Sequence, residues 1–394
     1  MKDELIGDAL IRHEVLGMEL LLCPFAQHVS AQRAAMFAAN LPQAVIVNGC
    51  EAPRISTGYE NKFRDYSFNN MRRENDARII DIVPQFALHT GASPIKTNPS
   101  QTVIYEDLKT GVVEYFEITE YTACNAGFGY RNKKINRFNL RRGNMLPKDM
   151  AFTEPISHDK ETYAMGVNAN VAFMTHPAVV QDAFVISDRL ADKCEHYAIN
   201  TTKINLTKDS IPLNIFGTGD AIKAMPDVGE QVGDTGLIMC VRELDDNTYL
   251  VNTTEEALST PQPLHDDLFA APTGATILDI KVYCPNNVYR QLSKNPGAYA
   301  QLLKYQEQQH VYYDTIVSIY YDLIRNKAKI GPKLANLVTR AMNLQSAKHS
   351  QGQTQFKLQD RRDNKIEFMQ VHVTYGYNRK VSLGSKLVGR DGAL

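Results

Sequence analysis

A change of hydrophobic period partway along the chain restricts the fold more than any single motif. From residue 198 to 283 short β-rich runs recur between Gly, Pro and Asp clusters, Gly236 to Val241 and Ala275 to Tyr283 among them, and the pattern predicts strands. Between Ala298 and Ala347 the period becomes helical. Leu302, Leu303, Val311, Ile316, Ile319 and Leu323 mark an apolar stripe, and Gly331-Pro332 divides the stretch into a helical hairpin. The polar run Gln351 to Gln359 then reads as a linker before a strand-rich end, Glu367 to Val381. Strands and helices that segregate rather than alternate predict an α+β, multidomain chain. Its 394 residues suit about two or three domains.

Upstream, Ala31 to Ala39 is a good helix former, Pro42 interrupts it, and Ala44 to Val47 reads as a strand. Thr102 to Glu120 predicts a hairpin with its turn at Thr110-Gly111, because Val103, Tyr105, Val113, Tyr115 and Ile118 sit at strand spacing on either side. Asn170 to Thr175 and Ala183 to Ile186 are further strand candidates, after which Ser187 is placed to cap a short helix through Lys193. There is no internal repeat.

The formal net charge of −1 argues against a protein that coats nucleic acid by bulk electrostatics, so such contacts must come from local basic patches. The six cysteines never fall at a C-x-x-C spacing, which leaves neither a zinc ribbon nor a redox dithiol, and isolated thiols suit a reducing compartment. With no apolar run of about 18 residues, neither a membrane span nor a membrane partner is expected. Nucleophile-elbow, zinc-protease and dinucleotide-binding fingerprints do not occur.

Three stretches could carry chemistry. Phe128 to Arg142 holds Arg131, Lys133, Lys134, Arg137, Arg141 and Arg142, interleaved with Phe128, Tyr130 and Phe138 and free of acidic residues. Such a run suits a phosphate backbone with aromatic faces for stacking; a solvated basic loop is the alternative. Gly384 to Gly392 places three glycines and two cations, Lys386 and Arg390, after a strand, either a cradle for phosphate oxygens or an ordinary glycine-rich turn. It is no P-loop, since Asp391 stands where that motif requires Ser or Thr after its cation. Gln181-Asp182 lies between two apolar runs, where a carboxylate could meet a metal-bound nucleotide or simply cap a turn. Arg33, on the first helix, could hold a triphosphate by paired hydrogen bonds or serve as a surface residue.

Read in order, these stretches resemble blocks of the β (second-largest) subunit of multisubunit RNA polymerases. Cys23 to His28, Gln32-Arg33-Ala34, Met36, Asn40 and Gln43-Ala44-Val45 form the first block, and Thr57-Gly58 with Glu60 the second. Ile118 to Thr122 with Asn125 is similar to the segment that precedes the family's basic run. Gly166 to Met174 and Gln181 to Leu190 form the fourth, and Arg379-Lys380-Val381, Gly384, Lys386-Leu387, Gly389-Arg390 and Gly392 the fifth. Their order is the family's order. In its divergence, and in lacking the family's upstream half, the chain resembles the split β subunits of jumbo bacteriophages.

The resemblance implies part of a double-psi β-barrel and a β-rich, flap-like insertion that carries the helical hairpin. Its expected parts are a fork-like α+β region at 1–150, a first barrel part at 151–190, a flap-like region at 191–365 with helices at 297–347, and an incomplete second barrel part at 366–394. It also implies roles. Arg33, Gln43, Asn40 and Arg390 fall at substrate-binding positions; Lys386 falls on a lysine that holds the initiating nucleotide or RNA 3′ end, and Gln181 and Asp182 on an acidic pair near the second metal. Gln181 stands where the family has Glu, and a second family lysine is missing from this chain. The implied Mg2+ is held by an aspartate triad of a β′-like subunit, and nothing like that triad occurs here. Expected partners are that subunit, the remaining β fragments, a promoter-specificity factor, DNA template, RNA product and nucleoside triphosphates, in the cytoplasm of an infected bacterial host or in the virion. A non-catalytic nucleic-acid-binding or scaffold protein derived from a polymerase is the competing expectation.

Overall fold

The computed structural model describes residues 17–65, 74–84, 89–90, 93–94, 100–125, 128–134, 140–159, 162–164, 166–181, 183–217, 221–244, 255–349 and 366–389. Helix α1 (Ala31–Asn40) starts where Ser30 accepts the Arg33 N–H at 3.4 Å, a cap that contributes about 1 kcal/mol. Phe37 and Leu41 turn inward onto Leu22 and Cys23, with Tyr59, Phe63 and Tyr163 packed alongside, and Ala34, at helical spacing from both, is buried too. Pro42 does not send the chain into a strand. Leu41–Gln43 continues as a single 3₁₀ turn, and Val47 makes only an isolated bridge to His196.

The expected hairpin is present. Strands β1 (Ala77–Pro84), β2 (Gln101–Asp107) and β3 (Val112–Ile118) pair antiparallel in sequence order. In the β2–β3 turn, Asp107 accepts the N–H groups of Lys109 (2.9 Å) and Thr110 (3.0 Å), and Gly111 takes the left-handed φ of 67° that the turn requires. Burial works to raise the Asp107 carboxyl, but bonds from Asn75 and these turn amides outweigh it and hold the group below its ordinary range. A second, smaller sheet joins β4 (Tyr121–Asn125), β5 (Phe128–Lys134) and β6 (Thr153–Pro155).

Ser187 caps helix α2 (Asp188–Lys193) through the Leu190 N–H, as its position predicts. Next come β7 (His196–Leu206), β8 (Ser210–Pro212), β9 (Leu237–Glu243), β10 (Asp266–Ala270), β11 (Thr276–Tyr283) and, far along the chain, β12 (Met369–Arg379). β8, β9 and β10 form one antiparallel sheet, and a five-residue helix, Glu255–Ser259, interrupts this otherwise β-rich stretch. In the other sheet β12 lies between β7 and β11, antiparallel to both. Ile204, Ile277, Ile280, Val282, Val371, Val373 and Tyr375 alternate onto one face and build the largest core with Met225, Met239 and Leu302.

The helical hairpin is α3 (Ala300–Arg325) and α4 (Pro332–His349). Between them Lys329–Ile330 pairs in parallel with the start of β3. Glu114 of β3 then accepts the Lys333 and Leu334 N–H groups at 3.3 and 3.0 Å and so caps α4 from the sheet. A Cβ at Gly331 would meet that carboxylate, so a larger residue there would have to displace the Glu114 cap. Adjacent residues of β2 show why the first sheet needs both neighbours: Ile104 faces Tyr312, Ile316, Leu334 and Val338 of the hairpin, whereas Val103 faces Phe152 and Leu146. The hairpin expected within the flap-like region therefore packs on the N-terminal sheet. The arrangement is α+β, and among the described residues the strands form open sheets rather than a closed barrel.

Candidate functional site

Four segments that are distant in sequence converge beside the end of the β7–β12 pair. Val47 bridges His196, the Asn48 N–H donates to Glu195 O at 2.8 Å, and His196 lies opposite Arg379 in the ladder. The Glu51 carboxylate accepts Lys193 Nζ at 2.8 Å and, from Asn168, the backbone N–H at 3.0 Å and the side-chain amide at 3.2 Å. Asn168 also donates to Ala52 O (2.9 Å) and accepts the Arg54 N–H (3.2 Å), which fastens residues 51–54 to the Gly166–Asn168 segment. The Lys193 hydrogen bond first, then those from Asn168, hold the Glu51 carboxyl down at about 2. Lys380 Nζ donates to Asp192 at 2.7 Å and ties the region after β12 to α2; that bond raises the Lys380 ammonium above its ordinary range. Sequence reading grouped Gly166 to Asn168 by resemblance alone and did not find this clamp, because Glu51 and Asn168 are 117 residues apart.

From this clamp the chain presents several of the expected site residues. Lys386 is exposed just beyond a turn in which the Ser385 N–H donates to Ser382 O at 3.0 Å and Gly384 has φ 81°. Arg33 and Asn40 lie seven positions apart on α1, hence on a similar face; Arg33 is exposed and Asn40 half-buried, and Gln43 is exposed in the 3₁₀ turn that follows. Gln181 is exposed, with a left-handed φ of 58°, in a turn closed by the Ala183 N–H on Val180 O at 3.3 Å. Asp182 and Arg390 lie outside the described residues.

The strands expected at Asn170 to Thr175 and Ala183 to Ile186 are not formed. The described backbone there joins no ladder, and Val171, Phe173, Met174, Val180, Phe184 and Val185 are exposed, Phe173 to 95%. Strand propensity requires a neighbouring edge, and within the described chain none reaches these residues.

The basic run divides. Arg131 stacks on the Tyr197 ring, 4.4 Å from its centroid, and donates to its hydroxyl at 3.1 Å. Lys133 donates to His158 O, so both residues help to hold β5 in place. Arg141 and Arg142 are exposed, Arg142 lying 4.0 Å from Asp81. Lys134 is in β5 with its side chain outside the described residues, as is all of Arg137. Among the described residues no three His, Cys, Asp or Glu side chains are grouped as metal ligands require, and no helix is long and apolar enough to cross a membrane. Glu60, matched only by resemblance, proves to be buried and to accept the N–H groups of Thr57 (2.9 Å) and Gly58 (2.9 Å), which fixes that loop.

No family model matches the sequence. Among curated proteins the chain is 24% identical over 273 residues, 68% of its length, to a DNA-directed RNA polymerase subunit beta of Dehalococcoides mccartyi, covering 20% of that protein. It is 24% identical to the one from Lysinibacillus sphaericus (68% of this chain, 23% of the relative) and 21% identical to the one from Thermosipho melanesiensis (70% and 23%). The chain thus spans about a fifth of the length of the curated relatives it matches. Over some two thirds of its own length it is similar, distantly, to bacterial DNA-directed RNA polymerase β subunits.

Proposed function

We propose that this chain is part of the β subunit of a multisubunit DNA-directed RNA polymerase and works opposite a β′-like subunit. The observation that carries the reading is the joining of residues 47–54, 166–168, 188–196 and 378–380 by the Glu51, Asn168 and Lys380 contacts, within a chain similar to β subunits. Two of the matched sequence blocks, Gly166 to Leu190 and Arg379 to Gly392, contribute to these segments, and residues 47–54 lie between the first block and the second. In the proposed complex the partner's aspartate triad holds Mg2+, which supplies the Lewis acid for phosphodiester formation. This chain supplies cations. Lys386 and Arg33, both exposed, neutralise phosphate oxygens of the RNA 3′ end and the incoming nucleotide, and Gln43, Asn40 and Arg390 orient them. The carboxylate of Asp182 would serve near the second metal, and Gln181 would offer an uncharged donor where the relatives' family has Glu.

The exposed apolar stretch Val171 to Val185 supports a place within a barrel completed by further polypeptide, whether a remaining β fragment or the partner. By this reading the 191–365 region is flap-like, and the enzyme belongs to a jumbo bacteriophage, acting in the infected host cytoplasm or from the virion with a promoter-specificity factor. The test is affinity purification followed by a template-dependent RNA synthesis assay. Copurification with an aspartate-triad chain, together with synthesis that falls at least tenfold in Arg33→Ala/Lys386→Ala, is the expected result. Undiminished synthesis by that double variant would sink the site assignment. Copurification without any synthesis would favour the non-catalytic scaffold.

A further inference from the structure

One face of the β7–β12–β11 sheet forms the large core; the other carries a pattern that the polymerase reading does not use. In register across the three strands stand Thr201, Thr374 and Asp279, then Lys203, His372 and Lys281, then Asn205, Gln370 and Tyr283. All nine are exposed or half-buried, as alternation from a buried opposite face demands. Hydrogen bonds along the face fix its polar groups: Thr201 to Thr374 (3.0 Å), Gln370 to Asn205 (2.5 Å) and His372 to Gln370 (3.0 Å). The Tyr283 ring meets His372 edge-on, with centroids 5.1 Å apart.

The middle row sets the charge. Burial first, then Lys203 and Lys281 on either side, push the His372 imidazole down to about 4, so it stays neutral between two ammonium groups. Lys281 Nζ is 3.4 Å from Asp279, which offsets one of them and leaves the face with a net positive charge. Tyr283 therefore sets an aromatic ring beside the cationic row.

We infer that this sheet face binds single-stranded nucleic acid, with Lys203 and Lys281 on backbone phosphates and Tyr283 offering a stacking surface for bases. A sheet face that carries cations and an aromatic ring fits unstacked bases, whereas a duplex hides their faces. The nine positions carry no aliphatic side chain, which disfavours a protein partner whose interface core would be apolar.

The test is fluorescence anisotropy of the full chain alone, with a labelled mixed-sequence single strand of about 12 nucleotides, a length within the usual site sizes. Expected are binding that weakens as salt rises, about tenfold weaker binding in Lys203→Gln/Lys281→Gln, and about tenfold weaker binding in Tyr283→Ala. Arg325→Glu, on the far helical hairpin, should bind as the parent does, and circular dichroism melting checks that each variant folds. Parental affinity in the double variant, no binding by the parent chain, equal or tighter binding of duplex, or preference for an acidic peptide would each overturn the inference. No nucleoside triphosphate or partner subunit enters the measurement, so its failure is distinct from failure of the polymerase reading.

Discussion

Replacing Asp266 with alanine should be among the most destabilising single changes in the β8–β9–β10 sheet. Arg242 is 2% exposed, with its Nε 2.7 Å and its Nη2 2.8 Å from the two Asp266 carboxylate oxygens, and with further bonds to Ala257 O (2.8 Å) and Thr260 O (3.1 Å). Asp266 also accepts the Gln262 N–H at 2.6 Å. The substitution removes two charge-assisted bonds, each contributing roughly 1.5–3 kcal/mol, and strands a buried guanidinium, so a loss of about 3–5 kcal/mol is expected. Arg242→Met/Asp266→Leu removes both charges, and with them the Arg242 bonds to the Ala257 and Thr260 carbonyls and the bond that Asp266 accepts from the Gln262 N–H. It should therefore cost less, about 1–3 kcal/mol. Urea unfolding, with hydrogen exchange of the β9 and β10 amides to localise the change, reads both. A loss below about 1 kcal/mol in Asp266→Ala, or a double variant less stable than the single one, would refute the reasoning. Burial works to raise the Asp266 carboxyl, but the Arg242 and Gln262 bonds outweigh it and depress the folded value. The pair's contribution is therefore complete above the unfolded carboxyl's 3.8 and fades as pH falls through the lower folded value.

Three further outcomes follow from the geometry. The Glu51 carboxyl, held at about 2, should keep the clamp intact above its ordinary 4.5 and release it as pH falls toward 2; Glu51→Gln should abolish that acid dependence, read from exchange of the Asn168 amide. A Cβ added at Gly376 would lie 2.6 Å from Cζ of Tyr197, so Gly376→Ala should lower stability by about 1–3 kcal/mol and disturb the Arg131 stack, measured by thermal melting and tyrosine fluorescence. Phe173→Ser should leave the isolated chain within about 0.5 kcal/mol of the parent, since that ring is 95% exposed, yet reduce copurification with the proposed barrel partner; a large loss of stability in the isolated chain would show that the ring is packed.

Local chemistry set much of this structure before any tertiary contact. The alternation across Thr102 to Glu120 with Gly111 at its turn, the Ser187 cap, and the helical spacing on either side of Gly331-Pro332 each act within a few residues, and each reappears in the fold. Ala44 to Val47, Asn170 to Thr175 and Ala183 to Ile186 carry strand-forming residues too, yet a strand exists only where a second edge supplies its hydrogen bonds, and no residue's propensity encodes that edge. Only tertiary structure put β12 between β7 and β11, paired Lys329–Ile330 with β3, and brought Glu51 to Asn168 and Arg131 to Tyr197. The same limit governs the site. The sequence displays the cations of the basic run, but their availability to phosphate depends on which meet an internal acceptor, and Arg131 and Lys133 do. The row of Lys203, His372 and Lys281 is invisible to any motif, because it lies across three strands rather than along one, and register between strands is fixed by the buried face beneath it.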